Sequence, residues 1–198
     1  MWEQRYGAET YAYGTDPNDF LAAHAPLLHG PVLCLAEGEG RNAVHLAARG
    51  LEVHSVDLTD AGVAKTRRLA AMRGVSVHAQ QGDLAEFDLG RGRWGAVVSI
   101  FAHVSRPVRV DLHRRVVESL RPGGLLLLEA YTPAQVGRGT GGPDDPALTM
   151  ALADLRVELA GLEFEHALEH EREVVEGQFH SGLAAVVQVI ARAASSPS

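Results

Sequence analysis

Val32-Leu33-Cys34-Leu35-Ala36-Glu37-Gly38-Glu39-Gly40-Arg41-Asn42-Ala43-Val44-His45-Leu46-Ala47-Ala48 decides the architecture. Its first five residues are a short apolar run, the pattern of a strand covered on both faces. Glu37 to Gly40 stop that run in a turn. From Asn42 the apolar positions recur at helical spacing, with Asn42 as a capping-type residue and Gly50 as the stop. Strand, glycine turn and helix in that order open a parallel α/β unit.

The pattern repeats downstream. Val53 to Asp57 reads as a second strand, and Thr59 caps a helix that ends near Arg73-Gly74. Val75 to Ala79 is a third strand and Trp94 to Phe101 a fourth. Pro107 suits the first turn of a helix over Val108 to Leu120, and Leu125 to Ala130 is a fifth strand after the Arg121-Pro122-Gly123-Gly124 break. Strands and helices alternating at this interval demand a parallel sheet, doubly wound, with helices on both faces. Asp144 to Leu159 then supplies a helix. Glu163 to Val174 and Gly182 to Ala191 are strands joined by Glu176-Gly177-Gln178, too short for anything but an antiparallel hairpin. Gly137 to Pro146 reads as a mobile loop at the sheet edge.

The chain has 198 residues, 46% hydrophobic and 22% charged, which is one globular domain and excludes a disordered or fibrous chain. A formal charge of −7 argues against nucleic acid and anionic membrane as partners. Cys34 is the one cysteine, so disulfides and multi-cysteine metal centres are excluded; mid-strand, it is a small core residue. The start lacks the apolar core of a secretory signal and no run reaches the ~20 residues of a membrane span, so a cytoplasmic protein is expected. His166 and His170 would share a helical face, but their segment reads as extended and no third ligand is placed, so no metal is expected.

Three strand ends converge on one crevice. Gly38 and Gly40 let backbone approach a ligand and expose helix N–H groups to it. Asp57 closes the second strand, where a carboxylate accepts both hydroxyls of a ribose. Asp83 closes the third, suited to an adenine amino group, with Leu84 against the ring. Gly38-x-Gly40-x-x-Ala43 also fits a loose dinucleotide fingerprint. The terminal hairpin argues against an NAD(P)-linked dehydrogenase, and so does the absence of a Tyr-x-x-x-Lys pair, since Lys65 is the one lysine.

From Pro31 to Ala130, with the closing hairpin, the chain resembles the class I S-adenosylmethionine-dependent methyltransferases. The run Gly38-Glu39-Gly40-Arg41-Asn42, with Trp2-x-x-x-Tyr6 and Tyr13-Gly14-Thr15-Asp16-Pro17, is similar to their tellurite-resistance and thiopurine branch. The resemblance implies a Rossmann-like, mostly parallel seven-stranded sheet with an antiparallel C-terminal hairpin. One domain is implied: a helical cover or lid over 1–30, a cofactor-binding core over 31–130, and an acceptor-side loop, helix and hairpin over 131–198. It implies S-adenosylmethionine as cofactor and methyl transfer to a small soft or oxyanionic acceptor (a thiol, selenium or tellurium species), by a monomer or homodimer. The alternative is a non-catalytic cofactor sensor of the same fold.

The same resemblance places the cofactor among Ala36, Glu37, Gly38, Gly40, Arg41 and Asn42 of the first turn, Asp57 and Leu58 of the second, Asp83 and Leu84 of the third, and Phe101 after the fourth strand. Trp2 and Tyr6 would close over it. The chain departs from the usual first-strand pattern, with Cys34 where an Asp is common and Ala36-Glu37 in place of a Gly-Cys or Gly-Ser pair; Glu37 or Glu39 is then the candidate for the methionine ammonium. On the acceptor side His103, with a pKa suited to proton handling, and Tyr131 are the catalytic candidates, and Arg106 or Arg138 would meet an anionic acceptor.

Overall fold

The computed structural model describes residues 3, 6, 7, 9–177 and 180–195. Before the core comes α1 (Asp19–His24), with Asn18 as its cap. The core then runs β1 (Val32–Leu35), α2 (Arg41–Ala48), β2 (Val53–Asp57), α3 (Asp60–Met72), β3 (His78–Gln81), β4 (Trp94–Ile100), α4 (Arg106–Ser119) and β5 (Leu120–Tyr131). It closes with α5 (Leu152–Glu158), β6 (Leu162–Glu176) and β7 (His180–Ala193). The seven strands lie in the order β3-β2-β1-β4-β5-β7-β6. Pairs within β1 to β5 are parallel; β7 runs antiparallel to β5, and β6 to β7. This is the doubly wound sheet with the terminal hairpin that the sequence implies.

Strand order reverses between β1 and β4, which both leave the sheet at the same edge, and open α/β sheets bind ligands at that point. All four residues of β1 are buried, because helices cover both faces. One apolar layer joins Leu33, Leu35, Trp94, Val97, Leu112 and Leu126; the other joins Val32, Cys34, Leu46, Ala96, Val98 and Leu127. Among the described residues no helix is long and apolar enough to cross a membrane.

Three elements differ from expectation, each for a local reason. The third strand starts at His78 rather than Val75. Gly74, with φ 68°, ends α3, and the Val75 N–H donates back to the Ala70 carbonyl at 3.0 Å. Val75 and Val77 therefore pack on Val44 and Leu69 instead of extending the sheet. The fifth strand begins at Leu120, running through the expected break with an irregular register opposite Trp94 and Ala96. The Asp144-to-Leu159 helix is divided: Asp145 caps a single 3-10 turn, Pro146–Leu148, and the Met150 N–H donates to the Tyr131 carbonyl at 2.9 Å before α5 starts.

Helices α4 and α5 are clamped by Glu158, whose carboxylate accepts from Arg109 Nη2 at 2.7 Å and bonds His113 Nδ1 at 2.7 Å. Arg109 also donates to the Thr149 carbonyl at 2.7 Å, so the clamp reaches the loop beside the crevice. Burial alone would raise the Glu158 carboxyl, but the His113 and Arg109 hydrogen bonds outweigh it and hold the group at about 2, below the ordinary 4.5. Its stabilisation is therefore complete above that ordinary value and is lost as pH falls towards the folded one. Glu158→Gln should unfold more easily at neutral pH by roughly 2–3 kcal/mol, and the gap from wild type should close on acidification. Urea melts at pH 7 and in acid check both.

Candidate cofactor and acceptor site

The turn after β1 is shaped by demands on the backbone at three alternate residues. Ala36 sits at φ 46°, Gly38 at 64° and Gly40 at 95°. A Cβ on Gly40 would stand 2.7 Å from Thr66 Cα, and one on Gly38 2.8 Å from the Tyr6 hydroxyl, so neither position admits a side chain without displacement. The Gly38 N–H donates to Asp57 Oδ2 at 2.7 Å, while Asp57 Oδ1 accepts from the Thr59 N–H and hydroxyl at 3.0 and 2.7 Å. Asp57 thus holds the first turn against the second and keeps one acceptor direction on Oδ2.

Gly40, not Asn42, is the cap position of α2. The capping acceptor is Glu37, whose Oε1 takes the Asn42 and Ala43 N–H groups at 2.9 and 2.8 Å. Burial pushes the Glu37 carboxyl up to about 7, although those hydrogen bonds and the Arg41 charge pull the other way. Behind it the Cys34 thiol, enclosed in the core, is pushed up by burial and by the Glu37 charge. That is a core thiol, as expected.

A cavity of 360 Å³ opens over this turn. Ala36, Glu37, Gly38, Arg41 and Asn42 line one wall, and Phe101, His103 and Tyr131 the opposite one; Tyr6 and Tyr13 close it from the N-terminal segment. Trp2 lies outside the described residues. Asp57 sits beneath the turn, buried, and Leu58 beside it is 56% exposed. Asp83 is exposed, its Oδ1 accepting from the Ala85 N–H at 2.9 Å. Leu84 does not offer a face to the crevice, since it packs into the core layer with Leu35 and Leu89. The glycine turn lining the cavity, the carboxylate under it and an exposed apolar side chain next to that carboxylate fit an adenosyl sulfonium ligand with an amino-acid tail.

The two catalytic candidates, His103 and Tyr131, both have partners on the opposite wall. His103 Nδ1 lies 2.9 Å from the Leu148 carbonyl, and the Tyr131 N–H donates to its Nε2 at 3.3 Å. The tautomer with the proton on Nδ1 serves both contacts, so both ring nitrogens are held by main chain and neither is placed to take a proton. Tyr131 is fully buried, stacked on Phe101 at 4.4 Å and on His103 at 5.5 Å. Burial, followed by the Glu176 and Glu129 charges, pushes its phenol well above the ordinary range, so it stays neutral.

The cations are also not where an anionic acceptor needs them. Arg138 pairs with Glu171 at 2.6 Å. Arg106 faces Asp154 at 3.6 Å, on a separate groove between α4 and α5. Arg41 donates to Glu176, and Glu39 pairs with Lys65 at 2.6 Å while accepting from the Ala12 N–H at 2.7 Å. Glu39 therefore straps the N-terminal segment to α3, leaving Glu37 as the acid at the cradle. Tyr11 lies under the Lys65 and Arg68 cations, with Lys65 Nζ 5.3 Å from its ring centre.

A network unforeseen from sequence fixes this strap. Asn18 donates to Glu129 and Glu176; Arg172 donates to Glu129 at 2.7 and 2.8 Å; Gln188 donates to Glu129 at 2.6 Å. Asn18 and Glu129 have no solvent exposure. The signal for it was one acid inside the apolar run Leu125-Leu126-Leu127-Leu128-Glu129-Ala130. The Gly137–Pro146 loop is likewise held rather than loose: Gln135 bonds Thr140 and the Gly141 carbonyl at 2.9 and 2.8 Å, and Gly141 to Asp144 line the cavity.

Residues 32–124 match a family model described as a methyltransferase domain. No curated protein matches the chain. Among solved structures, one reported for the conversion of a disulfide bond into a thioacetal group during echinomycin biosynthesis is 22% identical, with a TM-score of 0.77 over 100% of this chain and 92% of its own. TehB from Haemophilus influenzae is 18% identical, with a TM-score of 0.73 over 97% of this chain and 65% of its own. The CcbJ methyltransferase from Streptomyces caelestis is 23% identical, with a TM-score of 0.71 over 98% and 97%.

Asp57→Ala removes the acceptor that holds Gly38. Titration calorimetry with S-adenosylhomocysteine should show binding weakened by roughly 2–3 kcal/mol, as expected for a lost bond to a charged group. Asp83→Ala, at an exposed side chain, should cost less. Equal losses would remove the distinction between the two positions.

Proposed function

We infer that this S-adenosylmethionine-dependent methyltransferase, with S-adenosylmethionine as its cofactor, transfers the methyl group to a small soft acceptor: a thiol, selenium or tellurium species. The observation that carries this reading is that both ring nitrogens of His103 are taken by main chain while Tyr131 is held neutral. Neither His103 nor Tyr131 is then poised as a base, and Glu37 across the cavity is engaged by the Asn42 and Ala43 N–H groups; a soft nucleophile needs no base. The fold likeness to a structure reported for the conversion of a disulfide bond into a thioacetal group, a reaction at sulfur, is in keeping with a soft acceptor.

In this reading Gly38 and Gly40 admit the methionine part, Glu37 faces its ammonium and Asp57 accepts from the ribose hydroxyls. Leu58 packs against the adenine in place of Leu84, with Asp83 at the amino group. Arg41 and Asn42 hold the cradle's shape, Arg41 through Glu176 and Asn42 by accepting from the Asn18 N–H at 2.9 Å. Tyr6 and Tyr13 cover the bound ligand. Phe101, at φ 53°, directs its ring into the acceptor side.

The bound cofactor supplies a methyl group already activated on a sulfonium. A thiol acceptor would enter as its thiolate, its proton already given to water, so this chain's residues would have no proton to remove. What remains for the protein is to align the two reactants and exclude water, effects that together supply much of ~7–11 kcal/mol.

With no enzyme base, kcat/KM should rise with pH along the acceptor's own thiol ionisation, and the midpoint should move when a thiol of different pKa is used. His103→Gln should then cost less than about tenfold, against the 10²–10⁴ typical of a lost general base. A midpoint fixed for every acceptor would overturn the base-free reading. Cofactor binding without turnover on any acceptor of a broad panel would favour a sensor.

A further inference from the structure

The cavity wall and its surroundings carry a consistent sign. Each cation near it is already matched by an acid: Arg41 by Glu176, Lys65 by Glu39, Arg138 by Glu171 and Arg172 by Glu129. Two wall carboxylates are not matched in this way. Glu37 is satisfied by backbone N–H groups at the floor. Asp144 stands exposed at the mouth on the anchored Gly141–Asp144 flap, and makes no ion pair among the described residues. The remaining wall is aromatic, from Tyr6, Tyr13, Phe101 and Tyr131, and ring faces attract cations. Among the described residues, an oxyanion would meet an acid at the mouth and, in the wall, only Arg41, a cation already paired with Glu176.

We propose that the acceptor is a positively charged soft nucleophile, a thiol that also carries an ammonium group, and that Asp144 at the mouth selects it over anionic acceptors. The proposal rests on the soft-acceptor reading and narrows it. Glu37 at the floor faces the cofactor's own ammonium, so the acceptor's charge is met at the mouth and its sulfur is left to point inward. Methylation of such a thiol yields a thioether that keeps its ammonium.

The test compares 2-aminoethanethiol, 2-mercaptoethanol and mercaptoacetate, with tellurite as the oxyanion, at one ionic strength and with each thiol rate referred to its thiolate fraction. A unit charge a few ångströms from Asp144 near the surface predicts a preference for 2-aminoethanethiol over mercaptoacetate of about tenfold. Asp144→Asn should narrow that ratio to a few-fold, and Asp144→Lys should invert it. A wild-type preference for mercaptoacetate or tellurite, or a ratio untouched by Asp144→Asn, would overturn the proposal. The same series run as calorimetric binding of the S-methylated products to protein loaded with S-adenosylhomocysteine reads the preference without turnover. Absence of turnover with every thiol therefore removes the soft-acceptor reading, while the binding series still decides the charge preference.

Discussion

The hydrogen bond from the Gly38 N–H to Asp57 Oδ2 is the constraint on which the site depends. A turn with three residues at positive φ has no ladder to satisfy its N–H groups, and a carboxylate at the end of the neighbouring strand supplies the missing acceptor. The other oxygen of Asp57 accepts from Thr59, whose hydroxyl caps α3, and Thr66 of α3 donates back to the Gly38 carbonyl at 3.2 Å. Two turns and one helix are thereby fixed by one acid, with Gly38 lining the cavity and Gly40 packed against Thr66 of α3. Glu37 does the corresponding work at the start of α2, where a negative group meets the helix dipole.

The rest of the cavity is held by buried charge. Glu129 in β5, Arg172 and Glu176 in β6 and Arg41 in α2 meet around Asn18, joining elements far apart in sequence. Removing one member would leave its partner charged, buried and unmatched, a larger penalty than the net worth of any pair in the set. The same matching removes positive charge from the cavity, so the arrangement that fixes the walls also sets their electrostatic sign.

Local patterns carried most of the fold into view from sequence. Val53–Asp57, the Thr59-capped helix and the terminal hairpin all follow from spacing, caps and a short turn, and the structure has them in place. The glycine turn and the acid that ends β2 were legible for the same reason, since each is a requirement of local backbone geometry. What escaped was long-range. Val75 to Val77 read as strand until the bond from Val75 back to Ala70 took them. The flap over the cavity read as a loose loop because its anchors, Gln135 and Thr140, act through tertiary contacts. His103, Arg41 and Arg138 looked available because nothing in a sequence shows which partner occupies a side chain.

The account claims that the crevice between β1 and β4 takes one adenosyl sulfonium ligand rather than a dinucleotide. Titration calorimetry of the intact chain against S-adenosylmethionine, S-adenosylhomocysteine, NAD and NADP measures this directly. Both adenosyl ligands should bind with one site per chain and the dinucleotides should give no saturable heat. Tighter binding of either dinucleotide would contradict it.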